Sequence, residues 1–224
     1  MARRWLWLQL ATGYGILELA LWTSGRNQVL ASWSVAVWIM LSVAMQGRSA
    51  TDLGIARAAF RRGLIALPLA ALASFALILL GWMAGTLGPL HGESPVWLHA
   101  LSYTVWAVFQ QFMLQSFFYL TLEKLLESSN KATWITAGLF AAAHIPNPVL
   151  VPATFLAGLA FVRLFQRARN IYPLGMAHAL LGLSIAISAP HGWIRNMRVG
   201  ASYFHYHARA QSASAAARYP TDVG

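Results

Sequence analysis

The chain consists of long apolar runs separated by short polar stretches, and no internal repeat is evident. Several of the runs approach 20 residues, which is the length that an α-helix needs to cross the hydrocarbon core of a bilayer. The pattern predicts an all-α, polytopic transmembrane helix bundle of about seven spans, and it leaves open an eighth crossing near residues 193–206. The predicted spans are 5–22, 29–45, 64–87, 96–122, 131–144, 149–165 and 171–189.

Two segments outside these spans have patterns of their own. Residues 51–62 place Leu53, Ala56 and Phe60 on one face with arginines beside it, which favours a helix lying in the membrane interface. Residues 208–224 are rich in Ala, Ser and Arg without apolar periodicity, which predicts disorder. The sequence therefore predicts one transmembrane domain over residues 1–207, followed by a disordered tail.

Composition agrees with a membrane protein and excludes several functions. Hydrophobic residues make up 58% and charged residues 10% of the chain, whereas soluble domains carry about 25% charged residues. The net charge of +10 comes from basic residues in short gaps rather than on one face, so we predict the lipid bilayer as a partner and no nucleic acid. Because cysteine is absent, disulfides, thiolate metal sites and a cysteine nucleophile are excluded.

The basic residues are concentrated in alternate connections between the spans. This asymmetry predicts that those connections and the N-terminus are cytoplasmic, in a multi-pass protein of a bacterial inner membrane. The intervening connections carry only Arg26, or Glu93 with His91. The basic residues that define the predicted cytoplasmic side are Arg3, Arg4, Arg48, Arg57, Arg61, Arg62, Lys124, Lys131, Arg163, Arg167 and Arg169.

Three glutamines lie within the apolar span 96–122. Gln111 and Gln115 are one helical turn apart, and Gln110 is rotated by about 100° from Gln111. Amides at this depth are costly unless they have hydrogen-bond partners. The cluster indicates a polar site, and the alternative is hydrogen bonding that fixes the packing of the helices.

Two histidines also lie at membrane depth. The span 131–144 is only about 21 Å long and ends in His144-Ile-Pro-Asn-Pro. Broken backbone within a membrane is tolerated where it lines a cavity, so we expect His144 to face one. His178 lies inside the last span. Each imidazole is a candidate ligand for a divalent metal such as Zn or a candidate oxyanion donor, and the alternative is a hydrogen bond to a backbone carbonyl.

Two further spacings complete a known pattern, since Phe140 precedes His144 by four residues and His178 precedes Gly182 by four. In order and spacing, the chain resembles the CPBP intramembrane proteases, also called Abi, which include CAAX prenyl endopeptidases and bacteriocin-processing proteins. The motifs of that family are Glu-Glu-x-x-x-Arg, Phe-x-x-x-His and His-x-x-x-Asn. The resemblance covers roughly residues 52–188 and includes the segment from Asp52 to Ile55.

The resemblance implies an endopeptidase that cleaves a membrane-associated peptide or protein, or a prenylated substrate. It implies a site formed by Gln110, Gln111, Gln115, His144 and His178. In the family the first-motif glutamate is thought to activate a water, while histidine and asparagine stabilise the oxyanion or hold a metal. Here glutamine occupies all three signature positions of the first motif, and an amide cannot accept a proton near neutral pH.

Several alternatives therefore stay open. One is a catalytically inactive member that binds a membrane protein or an isoprenoid lipid in the former active-site cavity. If the chain is active, Glu18 inside the first span is a candidate base, as is His144 itself. A small transporter is a third option, although its usual internal repetition is missing. A metal site at His205 and His207 is weighed against an interfacial aromatic segment.

Overall fold

The computed structural model describes residues 2–89 and 95–206, and this part of the chain contains helices and no strand. The predicted all-α bundle is therefore confirmed. Helix α5 continues through a π-helix, Phe112–Tyr119, into α6, and short 3₁₀ turns occupy Arg57–Ala59 and Arg195–Met197. The α-helices are α1 Arg3–Trp22, α2 Gly25–Met45, α3 Phe60–Gly63, α4 Ala66–Met83, α5 Val96–Gln111, α6 Leu120–Leu126, α7 Ser129–Ala142, α8 Leu150–Ala168, α9 Ile171–Ser188 and α10 His191–Ile194.

Four stretches in the described ranges are long and apolar enough to cross a membrane, namely Gly25–Met45, Phe60–Met83, Leu150–Ala168 and Ile171–Ser188. Large apolar side chains such as Trp33 and Leu72 remain about 70% exposed on these helices (70% and 69%). Exposure of this kind is costly in water and favourable in lipid. The chain is an integral membrane protein, and seven crossings stay a prediction.

The core surrounds the π-helix. Each side chain from Met113 to Tyr119 is buried. The Phe118 ring packs edge-on against Tyr14 of α1, and the Tyr119 ring packs against Phe165 of α8. A π-helix is uncommon and often lies at a functional site. Here it connects α5 to α6, so that the three form one continuous rod through the centre of the bundle.

We call one end of the bundle the arginine-rich face; it contains the start of α1, the connection between α2 and α3, the end of α6 and the start of α9. Hydrogen bonds to backbone carbonyls join these segments. Arg3 donates to the Leu125 carbonyl (2.8 Å), which joins the start of α1 to the end of α6. The amide of Ile171 donates to the Gly54 carbonyl (2.9 Å), and Asn170 donates to the Ala56 carbonyl (2.8 Å). The connection between α2 and α3 is thereby held against the start of α9.

The other end, which we call the opposite face, gathers the C-terminal ends of α1, α4, α7 and α9. Thr86 donates to the Ser188 carbonyl (2.6 Å), and the Gly200 amide donates to the Ile145 carbonyl (2.8 Å). Asn147 donates to the carbonyls of Ile194 and Arg198. Residues 190–206 stay at this face, and no described helix among them is long enough to form the eighth crossing that the sequence left open.

One expectation at the arginine-rich face is wrong. Residues 51–62 do not form one interfacial helix, because the chain turns at Gly54 (φ +73°) and becomes helical only from Arg57. Leu53 is buried, and its carbonyl accepts a hydrogen bond from Ser116. Tertiary hydrogen bonds therefore outweigh the amphipathic pattern. The predicted tail 208–224, and His91, Glu93 and His207, lie outside the described residues.

Two charged groups in this connection have shifted pKa values. Burial, and then the neighbouring Arg169 charge, lowers the pKa of Arg48 to about 10, while its guanidinium donates to the Ser116 carbonyl (3.2 Å). Hydrogen bonds from the Ser49 hydroxyl and backbone lower the pKa of the Asp52 carboxyl below its usual range. Both groups are charged at neutral pH, so ions and hydrogen bonds help to hold this connection in addition to the burial of Leu53.

Candidate functional site

A cavity of about 190 Å³ lies between α1, α5, α7 and α9 and extends to residues 197–199. Most of its lining is apolar, as in ligand sites generally. Three of the five predicted site residues line it, namely Gln110, His144 and His178, while Gln111 and Gln115 lie behind it. The polar groups of the lining are Tyr14, Tyr103, Gln110, His144 and His178.

Gln111 and Gln115 form a buried hydrogen-bond chain that ends on His178. The Gln115 amide nitrogen donates to the Gln111 oxygen (3.0 Å), and the Gln111 amide nitrogen is 3.3 Å from Nδ1 of His178. Both glutamines are fully buried. Because an amide nitrogen only donates, Nδ1 of His178 accepts, and the neutral ring carries its proton on Nε2. The chain therefore makes His178 a hydrogen-bond donor through Nε2.

His144 has the opposite arrangement. Its Nδ1 lies 2.6 Å from the Phe140 carbonyl oxygen, one turn earlier in the chain. Because a carbonyl only accepts, Nδ1 donates, and Nε2 of the neutral ring keeps its lone pair. Helix α7 ends at Ala142, two residues before His144. The sequence alternative of a bond to a backbone carbonyl is therefore observed, and it also orients the ring at the cavity.

The two imidazoles share a neighbour as well as a cavity. The Phe140 ring meets the His144 ring edge-on with centroids 4.9 Å apart, and it meets the His178 ring at 5.6 Å. The pair thus presents one basic nitrogen and one N–H group around the same space. Environments that drive two similar groups into different roles are a feature of acid–base sites.

The structure adds Tyr103, which the sequence analysis did not single out. Its hydroxyl is the nearest neighbour that a Cβ atom at Gly182 would meet, and the overlap would be severe. Gly182 stands where the resembling family has asparagine, so the Tyr103 phenol, from another helix, fills that side-chain space. Tyr103 precedes Gln110 by seven residues, or two helical turns, and this spacing was the available sequence signal.

Glu18, the predicted alternative base, does not line the cavity. Its carboxylate accepts a hydrogen bond from the indole of Trp22 (3.0 Å), and the side chain is partly exposed. Tyr14, one turn earlier on α1, does line the cavity and interacts with Glu18. The carboxylate is therefore linked to the site only through a phenol.

The donor set does not suit a metal. Catalytic zinc sites use three protein ligands and one open position, and the described residues contain no group of three or more His, Cys, Asp or Glu side chains that could hold an ion. Of the two imidazoles at the cavity, His178 presents an N–H rather than a lone pair. The divalent metal therefore stays a prediction.

Comparison with protein families gives one match. Residues 92–184 match the family model described as Type II CAAX prenyl endopeptidase Rce1-like. The match covers less than half of the chain, runs from the start of α5 into α9, and contains all five predicted site residues. The resemblance inferred from the motifs is confirmed there, while residues 52–91 lie outside the match. No curated protein and no solved structure matches the chain.

Proposed function

We propose that this membrane protein, whose residues 92–184 resemble the CAAX prenyl endopeptidases, is an intramembrane endopeptidase that uses its two histidines in opposite roles. The observation that carries the proposal is the complementary hydrogen bonding of His144 and His178 at one cavity. The substrate is a membrane-associated peptide or protein segment, because an apolar cavity at membrane depth admits chains that already lie in lipid.

His144 acts as the general base. Nε2 removes a proton from a water molecule while the water oxygen forms a bond to the carbonyl carbon of the substrate. The electron pair of the carbonyl moves to its oxygen. As the tetrahedral intermediate collapses, the C–N bond breaks and the protonated His144 returns its proton to the leaving amine.

His178 and Gln110 stabilise the developing oxyanion. Nε2–H of His178 donates to it, and the Gln110 amide lies at the cavity with no hydrogen bond to any described protein group. Each such donor contributes about 10²–10³ in rate when it is preorganised. Gln111 positions His178 by fixing its tautomer. Gln110 and Gln111 therefore act as hydrogen-bond donors, and neither has to accept a proton.

The test is peptidase turnover by the purified protein in proteoliposomes with a membrane-anchored fluorogenic peptide. His144→Ala removes the base, so we expect kcat to fall by about 10²-fold or more. His178→Ala removes an oxyanion donor, with a fall of similar size. His205→Ala is the matched control, because His205 is exposed and does not line the cavity.

Unchanged turnover in both cavity variants would refute the proposed roles. Turnover that a chelator abolishes and Zn²⁺ restores would instead refute the metal-free step. All variants need equal thermal stability in detergent for the comparison to hold.

A second candidate is a non-catalytic protein that binds a membrane protein or an isoprenoid lipid in the same cavity. One observation favours it, since none of the carboxylates in the described residues lines the cavity. If wild type has no turnover and Gln110→Glu with Gln111→Glu creates it, this candidate replaces the first. Robust wild-type turnover excludes it.

A further inference from the structure

The distribution of charge distinguishes the two ends of the bundle. Of the 16 Lys and Arg residues of the chain, those at the start of α1, before α4, around the α6–α7 turn and at the end of α8 all belong to the arginine-rich face. In the part of the chain that the structure describes, the opposite face carries Arg26, Arg195 and Arg198. Arg195 and Arg198 stack on the rings of Tyr203 and Tyr206. By the positive-inside rule the opposite face is extracytoplasmic.

The site cavity belongs to the half of the bundle near the opposite face. Its lining includes Leu21 at the end of α1, together with Met197 and Val199. These residues lie where Gly200 approaches the Leu21 carbonyl and where the Gly200 amide bonds to Ile145. No residue that the structure describes at the arginine-rich face lines the cavity.

A second cavity, of about 290 Å³, adjoins the first on the side of the opposite face. Tyr103, Trp106 and Met197 line both, so these side chains form the wall between them. The second cavity has a more polar lining, with His99 near the start of α5 and His191 of α10. The polar lining of the second cavity admits water and polar peptide backbone, and Gln110, His144 and His178 offer hydrogen-bond partners to both in the first.

We propose that substrate and water reach the site from the opposite face through this second cavity, so that the substrate is an extracytoplasmic segment of a membrane-anchored polypeptide. The apolar first cavity holds the part of the segment that lies in lipid, and the second holds the adjoining polar chain. A chain anchored from the cytoplasm would have to pass the packed π-helix to reach His144. This inference rests on the proposed function for its chemistry and on charge and cavity geometry for its direction.

Because the chain has no cysteine, single-cysteine labelling gives a direct test of access. Each variant is labelled with a membrane-impermeant maleimide in right-side-out vesicles, before and after permeabilisation. His99→Cys reports on the second cavity and Val199→Cys on the first. His205→Cys is the exposed reference at the opposite face, and Arg62→Cys is the exposed reference at the arginine-rich face.

We expect His99→Cys, Val199→Cys and His205→Cys to react in sealed vesicles, and Arg62→Cys to react at least tenfold more slowly until the vesicles are permeabilised. The reverse order would overturn the proposal. Labelling of His205→Cys without either cavity variant would overturn the route. Labelling needs no turnover, so an inactive protein would refute the proposed function and leave this result standing.

Turnover then tests the substrate. Two peptides with the same cleavable sequence are anchored so that their polar ends lie on opposite sides of oriented proteoliposomes. Cleavage of only the peptide at the opposite face supports the inference, and cleavage of only the peptide at the arginine-rich face refutes it.

Discussion

Two polar clusters lie inside this bundle, and they differ in how completely their hydrogen bonds are satisfied. Near the arginine-rich face, Glu123 accepts hydrogen bonds from Tyr119 and Ser129, and Gln166 donates to Tyr119 (3.0 Å) and Thr133 (2.9 Å). Glu123 is therefore hydrogen-bonded within the protein and not only solvated. Every member of this cluster, which we call the paired cluster, has a protein partner.

The cavity cluster is built from similar residue types but is left incomplete. Gln110 and the Tyr103 hydroxyl have no hydrogen bond to any described group, and each imidazole is bound through one nitrogen only. Buried polar groups are normally satisfied, so open capacity needs an external partner. The comparison teaches that a group of polar side chains within the bundle does not by itself mark a site, whereas unfilled hydrogen-bonding capacity at a cavity does.

The two clusters should differ most in how one glutamine substitution in each, Gln111→Leu or Gln166→Leu, changes turnover. Gln111→Leu frees the tautomer of His178, so turnover falls about 10²-fold, the effect of losing one oxyanion donor. Gln166→Leu leaves turnover unchanged and lowers the free energy of unfolding by about 1–3 kcal/mol, because Tyr119 and Thr133 lose a partner. Kinetics and thermal unfolding on the same samples measure both. An equal fall in turnover in both variants would contradict the distinction between the cavity cluster and the paired cluster.

A smaller effect is expected from filling the space at Gly182. A Cβ there overlaps the Tyr103 ring, so Gly182→Ala destabilises the fold by about 1–3 kcal/mol, as overpacking does. Gly138→Ala is the matched control on α7, because nothing lies within 4 Å of the added carbon. That variant should be neutral, or more stable by up to about 1 kcal/mol. Thermal unfolding in detergent measures the stability of both variants. Identical midpoints would contradict the packing of Tyr103 against Gly182.

The smallest effect is expected from Glu123→Gln in the paired cluster. The Glu123–Arg169 pair is 3.9 Å apart with side chains 27% and 38% exposed, and such pairs contribute less than about 1 kcal/mol. The amide still accepts from Tyr119 and Ser129. We expect a slightly lower unfolding midpoint that high salt makes equal to wild type, with turnover retained. A loss of turnover would show that this cluster is coupled to the cavity.

The fold was largely predictable because lipid imposes one rule, that apolar runs near 20 residues become helices. The connection 51–62 was not, since its turn depends on bonds from Ser116 and Ile171, which are distant in sequence. The cavity position of Gln110, His144 and His178 followed from motif spacing. The role of Tyr103 did not, because its spacing from Gln110 indicates only a shared helix face, and three-dimensional packing pairs it with Gly182.

The π-helix from Phe112 to Tyr119 separates Gln110 and Gln111 from Glu123 along one continuous rod. Each π turn contains more residues than an α turn, so the winding from Phe112 to Tyr119 sets the angle between the side chains before it and those beyond it. Gln110 therefore faces the cavity and Glu123 faces the paired cluster at a relative angle that ordinary α winding over the same residues would not give.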